Sequence, residues 1–573
     1  MANDQARYSL GTTRQFVSER LPLRILVLGN FSGEDPKRTH DSQQQQSCRY
    51  PNLVSLNHNK LDSFFASLNV DANIEVNDFF SKDATNHYIR FKPRNIHDFT
   101  PNGLLEAVPE FRTLQKIQEK LQELASGVIS EMQFVSLLDQ HQYIMVLQQI
   151  RKTLVPGDDN GGSGRTIYAD IASSKDHRSI EQFLKQALEN VISSFLHHPQ
   201  VQTLEALWRG LKFLVDRTNF QHPIQIDCIN CSAKNVTQHF QHLIFEQAND
   251  KPETIAYNAI VNTFPVSNTT EQLQTLQILA EYAEIMQSPL LFSLDGKFFS
   301  HNSRHDSLSS TKPLALFAGP EFKRWNALRQ KSCARWLVAL YNRFLLRNQY
   351  ESDMRSSGGI TEHIDMQSQR LWGNPTFAMA SLISQSFSRS GWPTEIQGRE
   401  HGRIEDLSLF SLKNADGIDA MGAFQTLEYA VNPEQAENLA TFGITLLSCT
   451  PDEDCAYVYY LPCLFAPGKL LDNQYEKLSG VNNNLAYQLL LSWIAKAVQG
   501  QYHKLGKSTN ANDLERLLTH FLQDLLTTTG YGSQLKVSAQ PTDDDNNHHI
   551  VSIQATTGNQ VLNGSKIEFG LLV

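Results

Sequence analysis

Residues 21–33 read Leu21-Pro22-Leu23-Arg24-Ile25-Leu26-Val27-Leu28-Gly29-Asn30-Phe31-Ser32-Gly33. Five of the six residues from Leu23 to Leu28 are aliphatic, and glycine closes the run. That length and composition predict a buried strand ending at Gly29. A strand followed by a glycine-bearing turn could also cradle a phosphate. However, Leu28 to Gly33 has neither G-x-x-x-x-G-K-[ST] nor G-x-G-x-x-G, and a polar loop with Gln43 to Gln46 follows instead of a helix. No nucleotide site is therefore expected.

Beyond that loop, Leu61, Phe64, Phe65 and Leu68 share one helical face, and residues 72–78 and 87–92 alternate like a hairpin pair. Asp98 and Thr100 before Pro101 suit a helix start. Apolar positions 104, 105, 108, 111, 114, 117, 121 and 124 carry an amphipathic helix from there, and 130–150 read as another. Residues 157–164, Gly-Asp-Asp-Asn-Gly-Gly-Ser-Gly, contain no apolar side chain and read as a flexible linker. Both flanks share a Gln-, Asn- and His-rich habit, which favours a natural junction. After it, 178–218 are expected to be helical, with Leu204, Leu207, Trp208, Leu211 and Leu214 at helical spacing. Strands are expected at 255–263 and 289–293 around a helix at 270–287, and 321–346 mix a helix with an apolar segment. A helix over 375–390 should lead into a strand at 391–397, and one from Glu434 to Gly443 into the strand Ile444 to Ser448. Helices over 482–504 and 513–528 precede two terminal strands, 549–556 and 565–573. The fold class is α/β, with strands separated by helices in both parts.

The chain of 573 residues is too long for one domain of about 150. Its 40% hydrophobic and 19% charged content supports packed cores. Asp and Glu (60) exceed Lys and Arg (50), giving a net charge of -10 without a basic run, so nucleic acid is a poor partner. Trp325, Trp336, Trp372 and Trp392 are not interleaved with basic patches and read as core. Nothing resembles a signal peptide, and no stretch nears about 18 uninterrupted apolar residues, so no membrane insertion is expected. Seven thinly spread cysteines suit a reducing, cytoplasmic setting. Cys228 and Cys231 form a lone C-x-x-C and read as small apolar side chains near a strand end, not as half a zinc site. Glu400, His401, Glu405 and Asp406 could do acid–base chemistry, and Asp543 to Asp545 with His548 and His549 could bind a cation. A charged loop and a solvated turn explain them better. With no G-x-S-x-G or H-E-x-x-H, no catalytic residue, cofactor or metal is expected.

The stretch Leu21 to Gly33, with Gly29, Phe31 and Gly33, resembles the opening strand of the small sheath subunit of type VI secretion systems (TssB/VipA). Asp98-Phe99-Thr100-Pro101, followed by Val108-Pro109-Glu110-Phe111 and Leu114, is similar to a helix of that family, and the likeness covers about 8–150. The later residues resemble the large subunit (TssC/VipB) over about 175–570. The carriers are His198-Pro199, then Leu204-Glu205-Ala206-Leu207-Trp208-Arg209-Gly210-Leu211; Trp325 to Arg329; Arg343-Phe344-Leu345-Leu346-Arg347 with Tyr350; Trp372-Gly373-Asn374-Pro375; Phe387, Gly391-Trp392 and Ile396-Gln397-Gly398; and Glu437, Leu439 and Phe442 to Ile444. Asn342 stands where that family has proline, and Asn258 to Thr263 replace a glycine-rich stretch.

The resemblance implies two sheath-type α/β domains, 1–156 and 165–573, joined by the linker 157–164. It implies a non-enzymatic subunit that polymerises helically with itself around an Hcp-like inner tube on a baseplate, in the bacterial cytoplasm, and contracts to expel the tube. Covalent fusion fixes a one-to-one ratio of the parts and raises their effective concentration. Neighbours would join by β-augmentation, with Tyr8, Leu10, Phe16 and Val17 on an N-terminal donor strand and Ile567, Phe569, Leu571 and Val573 on a C-terminal one. Both strands could instead edge their own sheets. The helix read by a ClpV-type ATPase has no match in 165–197, so recycling by that partner is not expected. The alternatives are a sheath-related cap, adaptor or regulator that forms no long sheath, and an α/β enzyme.

Overall fold

The computed structural model describes residues 22–33, 53–76, 87–138, 169, 171–173, 177–245, 257–299, 317–413, 419–466, 483–505, 510–527, 535–541, 549–556 and 566–572. The first part of the chain supplies β1 (Leu23–Gly29), β2 (Val54–Leu56), α1 (Leu61–Ser67), the hairpin β3 (Ala72–Val76) and β4 (His87–Phe91), then α2 (Pro101–Ala107), α3 (Pro109–Ala125) and α4 (Glu131–Leu138). The second part begins with α5 (His177–Leu196), α6 (Pro199–Asp216), β5 (Ile224–Asn230), α7 (Val236–Phe245), β6 (Ala259–Val266), α8 (Thr270–Ile285) and β7 (Leu290–Leu294). It continues with α9 (Lys323–Arg329), β8 (Leu337–Tyr341), β9 (Phe344–Leu345), β10 (Trp372–Gly373), α10 (Pro375–Ser390), α11 (Gly398–His401), β11 (Arg403–Ile404), β12 (Phe410–Lys413) and β13 (Asp419–Gln425). It closes with α12 (Pro433–Ala440), β14 (Ile444–Ser448), β15 (Ala456–Val458), α13 (Leu485–Leu505), α14 (Ala511–Thr527), β16 (Leu535–Pro541), β17 (His549–Thr556) and β18 (Lys566–Leu572).

A nine-stranded sheet organises these elements in the order β11-β15-β14-β8-β7-β6-β1-β5-β2. The two parts of the chain share it. β1 lies parallel between β5 and β6, and β2 pairs antiparallel with β5 on the outer side. All seven residues of β1 are buried, which is why its sequence does not alternate: a central parallel strand is covered on both faces. Leu23, Ile25 and Val27 point into one core, while Leu26 and Leu28 point into the other. Helix α10 crosses β1, β6 and β7 and packs on α6. The chain is thus α/β, with an additional three-stranded antiparallel sheet, β16-β17-β18, lying against α14.

Three expectations change. The helix expected to run on from Pro101 is two, because Val108 is extended (φ -106°, ψ 111°) before Pro109, as steric conflict with a following proline favours. Residues 178–218 likewise divide at His198-Pro199, where the His198 ring accepts from the Gln200 N–H at 3.3 Å and caps α6. The strand expected over 391–397 does not form. Gly391 (φ +80°) ends α10, and Ser386 Oγ donates to the Trp392 carbonyl (2.7 Å) and accepts from the Glu395 N–H (2.9 Å). These groups are therefore satisfied by the helix instead of a ladder.

Candidate functional site

The site with most to do is the seam where the first part enters the second. Gly29 ends β1 against β6, and a β-carbon there would lie 2.8 Å from Thr263 Oγ1. Phe31 follows, fully buried, and its carbonyl accepts from Trp208 Nε1 on α6 at 3.0 Å. The Trp208 ring meets Phe31 and Phe64 at 5.4 Å each and Phe65 at 4.1 Å. Aromatic pairs at such centroid distances add to plain area burial. Phe99 continues the cluster through Phe65 and Phe91, and Phe91 in turn meets Phe195 on α5. Gly33 takes φ +66° beside Leu204. Asp98, almost fully buried, accepts from the Arg94 N–H at 2.7 Å, while Thr100 caps α2 just before Pro101, its first residue.

A charged hub lies behind the seam. Glu205 on α6 accepts from Arg209 (2.7 Å) and Arg347 (3.0 Å). Arg347 also donates to Glu362 at 2.6 and 3.1 Å, and its guanidinium sits 4.3 Å over the Tyr350 ring. Arg209 reaches Tyr350 Oη at 3.0 Å, and His197 at the end of α5 meets Glu362 at 3.1 Å. Burial alone would raise the Glu362 carboxyl, but Arg347 and His197 outweigh it and hold it at about 2. Burial likewise works against the Arg347 charge, and Glu205, Tyr350 and Glu362 overcome it, raising that group well above its ordinary value. The adjacent segment docks on α5 through Thr361 N–H to Glu189 (3.2 Å) and His363 N–H to Ser193 (3.0 Å). Buried charges paired in this way hold α5, α6 and the segment around Arg347 and Glu362 in one arrangement.

The remaining motif residues act as joints. Gly210 faces Phe377, and a β-carbon there would come within 2.4 Å of its ring. Arg343 forms a two-pronged pair with Glu428 (2.7 and 2.6 Å), and the Phe344 ring meets that of Phe213 at 4.8 Å, tilted by 44°. Trp372 Nε1 donates to the Gln367 carbonyl at 3.0 Å, and Gly373 leaves room for Phe344. Asn374 caps α10 and donates to Thr263 O and Ser293 Oγ, both at 3.0 Å, tying that helix to the sheet.

Tyr8, Leu10, Phe16, Val17 and Val573 lie outside the described residues. Ile567, Phe569 and Leu571 fall on β18, opposite Ala555, Ile553 and Val551 of β17, so this strand pairs within its own chain along one edge. Cys228 and Cys231 belong to the cores on opposite faces of the sheet, and burial pushes Cys228 well up and Cys231 to about 12. Glu400 and His401 sit on the single turn α11. Arg217 engages the backbone carbonyls of Glu405 and Asp406, at 2.9 and 3.2 Å. His549 opens β17 opposite Pro541, while Asp543 to Asp545 and His548 are outside the described residues. Among the described residues no group of His, Cys, Asp or Glu is placed to hold a metal, and no helix is long and apolar enough to cross a membrane.

Sequence reasoning missed how the hub and the seam are wired. Glu205 and Arg209 at i,i+4 were a usable signal for one pair. Arg24, a lone charge in an apolar strand, required a partner, but its identity, Asp227, lies 203 residues away.

Residues 5–152 match the model of the type VI secretion system VipA family, and residues 178–461 match that of VipB, the EvpB tail sheath N-terminal domain. The type VI secretion system sheath protein TssC1 of Pseudomonas aeruginosa is 24% identical over 334 residues, covering 55% of this chain and 66% of that protein. The sheath tail protein of Listeria innocua shows 12% identity and a TM-score of 0.31 over 59% of this chain and 60% of its own. The contracted helical sheath of the anti-feeding prophage shows 10% identity and a TM-score of 0.32 over 63% and 76%. The chain therefore spans 66% of the length of the curated relative and 60% of the Listeria protein.

Proposed function

We propose, on the premise that the chain belongs to the VipA and VipB sheath families that its two parts match in turn, that it is a structural subunit of a type VI secretion contractile sheath, with small and large parts joined in one polypeptide. The observation that carries this reading is the shared sheet: β1, within the VipA-like residues, fills the gap between β5 and β6 of the VipB-like residues. A subunit built this way is a single packing block, as a helical polymer needs. Its work is mechanical, its energy coming from the difference between extended and contracted packings. The paired hub and the buried thiols are consistent with a protein that transmits load instead of doing chemistry.

In this reading copies stack around an Hcp-like inner tube on a baseplate, inside the bacterial cell. The segments 7–17 and 566–573 bridge neighbours by β-augmentation. β18 suits that role because β17 occupies one of its edges and, among the described residues, no strand occupies the other. Electron microscopy of the protein expressed alone and with a tube protein tests the proposal. Long hollow cylinders support it; persistent monomers or short rings overturn it in favour of a cap, adaptor or regulator.

A further inference from the structure

Arg24 is the only charged residue of β1, and its Nη2 donates to Asp227 Oδ2 on β5 at 3.0 Å. Asp227 is wholly buried and serves as an acceptor for four segments. Tyr257 Oη, just before β6, donates to the same oxygen at 3.0 Å. Ser55 Oγ on β2 and Gln225 Nε2 on β5 donate to Oδ1 at 2.5 and 2.9 Å. Two of these donors, Arg24 and Ser55, come from the first part of the chain and two from the second. The Arg24 guanidinium also lies 4.8 Å over the Tyr257 ring. Main-chain bonds flank the group: Arg24 N–H donates to Asn258 Oδ1 and Asn258 N–H to Arg24 O, both at 2.8 Å.

The aliphatic residues of the strand discriminate poorly between partners. Leu23 and Ile25 to Leu28 are aliphatic, and any strand of similar bulk would satisfy the same two cores. A buried carboxylate does discriminate. A strand with an apolar residue at the position of Arg24 leaves Asp227 without its cation, and one with an acid opposes it directly; both cost far more than imperfect apolar packing. We propose that Asp227 is a pairing-fidelity residue: it reads the strand entering between β5 and β6 and accepts one that carries a cation at its second position together with a hydroxyl on the neighbouring β2. The partner it selects is this chain's own first part, against apolar or acidic strands of any other protein. The pair thus confers specificity and not net stability.

The inference concerns how the two parts join and does not need them to polymerise, so it stands apart from the filament assay. The test uses the whole chain with a protease site placed within 157–164, cut after folding. Co-elution of the fragments on gel filtration is the readout, together with the urea midpoint of the uncut chain. Wild-type fragments are expected to co-elute. Arg24→Glu and Asp227→Lys are each expected to abolish co-elution and lower the midpoint. The swap Arg24→Glu with Asp227→Lys, or the apolar pair Arg24→Met with Asp227→Leu, is expected to recover both. When cut wild-type and cut swapped proteins are mixed, each small fragment should stay with its own large one. Separation of the wild-type fragments, normal behaviour of Arg24→Glu, or failure of both double variants to recover would each overturn the proposal.

Discussion

Glu362 shows how one side chain holds a joint between elements. Its carboxylate takes Arg347 and His197, and also the Tyr350 N–H at 3.1 Å. A value of about 2 against the ordinary 4.5 means that the ionised group favours the folded state. This contribution is fully present above about pH 4.5 and fades as the pH falls towards 2. Glu362→Gln should therefore cost roughly 3–5 kcal/mol at pH 7, the range for breaking a buried pair. In urea titrations the gap to wild type should narrow below pH 4.5. A pH-independent gap would contradict the electrostatic account. Lys496 on α13 carries the opposite sign. It donates to the Met286 carbonyl at the end of α8, and burial holds its ammonium at about 8 instead of 10.5. Its charge opposes folding below pH 8, and stability from this group rises as the pH climbs from 8 towards 10.5. Lys496→Met should stabilise the fold at pH 7, by up to about 3 kcal/mol, and flatten the slope above pH 8.

At the level of elements, what was legible followed from local rules. The buried strand at 23–29, the cap before Pro101 and the helix over 375–390 were each written in a few neighbouring residues. What was not legible depended on distant ones. Nothing between Leu23 and Gly29 says that β5 and β6, some 200 residues on, will flank it, and no local pattern pairs Glu205 with Arg347. Asn342 belongs to this second kind. It stands where the resembling family has proline, and its φ of +76° is a value the proline ring forbids. The turn is held instead by its amide, which donates to Tyr429 O and Leu447 O at 2.9 Å each and accepts from Tyr429 N–H at 3.1 Å. Asn342→Gly keeps the backbone freedom and loses those bonds, and should cost about 1–3 kcal/mol. Asn342→Pro should lower the thermal midpoint further still, despite restoring the family residue. If proline proves the milder change, the left-handed turn is not what fixes this corner.

For the whole molecule the decisive contrast lies between its two ends. Among the described residues the nine-stranded sheet is completed from within: β1 and β2 of the first part close on β5. β18 is different, because it supplies the outer strand of the sheet on α14 and covers one edge of β17 over seven registered pairs. If residues 1–18 bridge neighbours instead of completing this sheet, removing them should leave the stability of the isolated chain within about 0.5 kcal/mol of wild type and yet abolish filaments. Removing 566–573 should do both kinds of damage, since an uncovered β17 edge invites non-specific pairing and aggregation should accompany the loss of filaments. Unfolding midpoints and electron micrographs of the two deletions, taken side by side, separate a strand that joins subunits from one that completes its own. Normal cylinders from the 1–18 deletion would end the case for N-terminal strand exchange while leaving the shared sheet untouched.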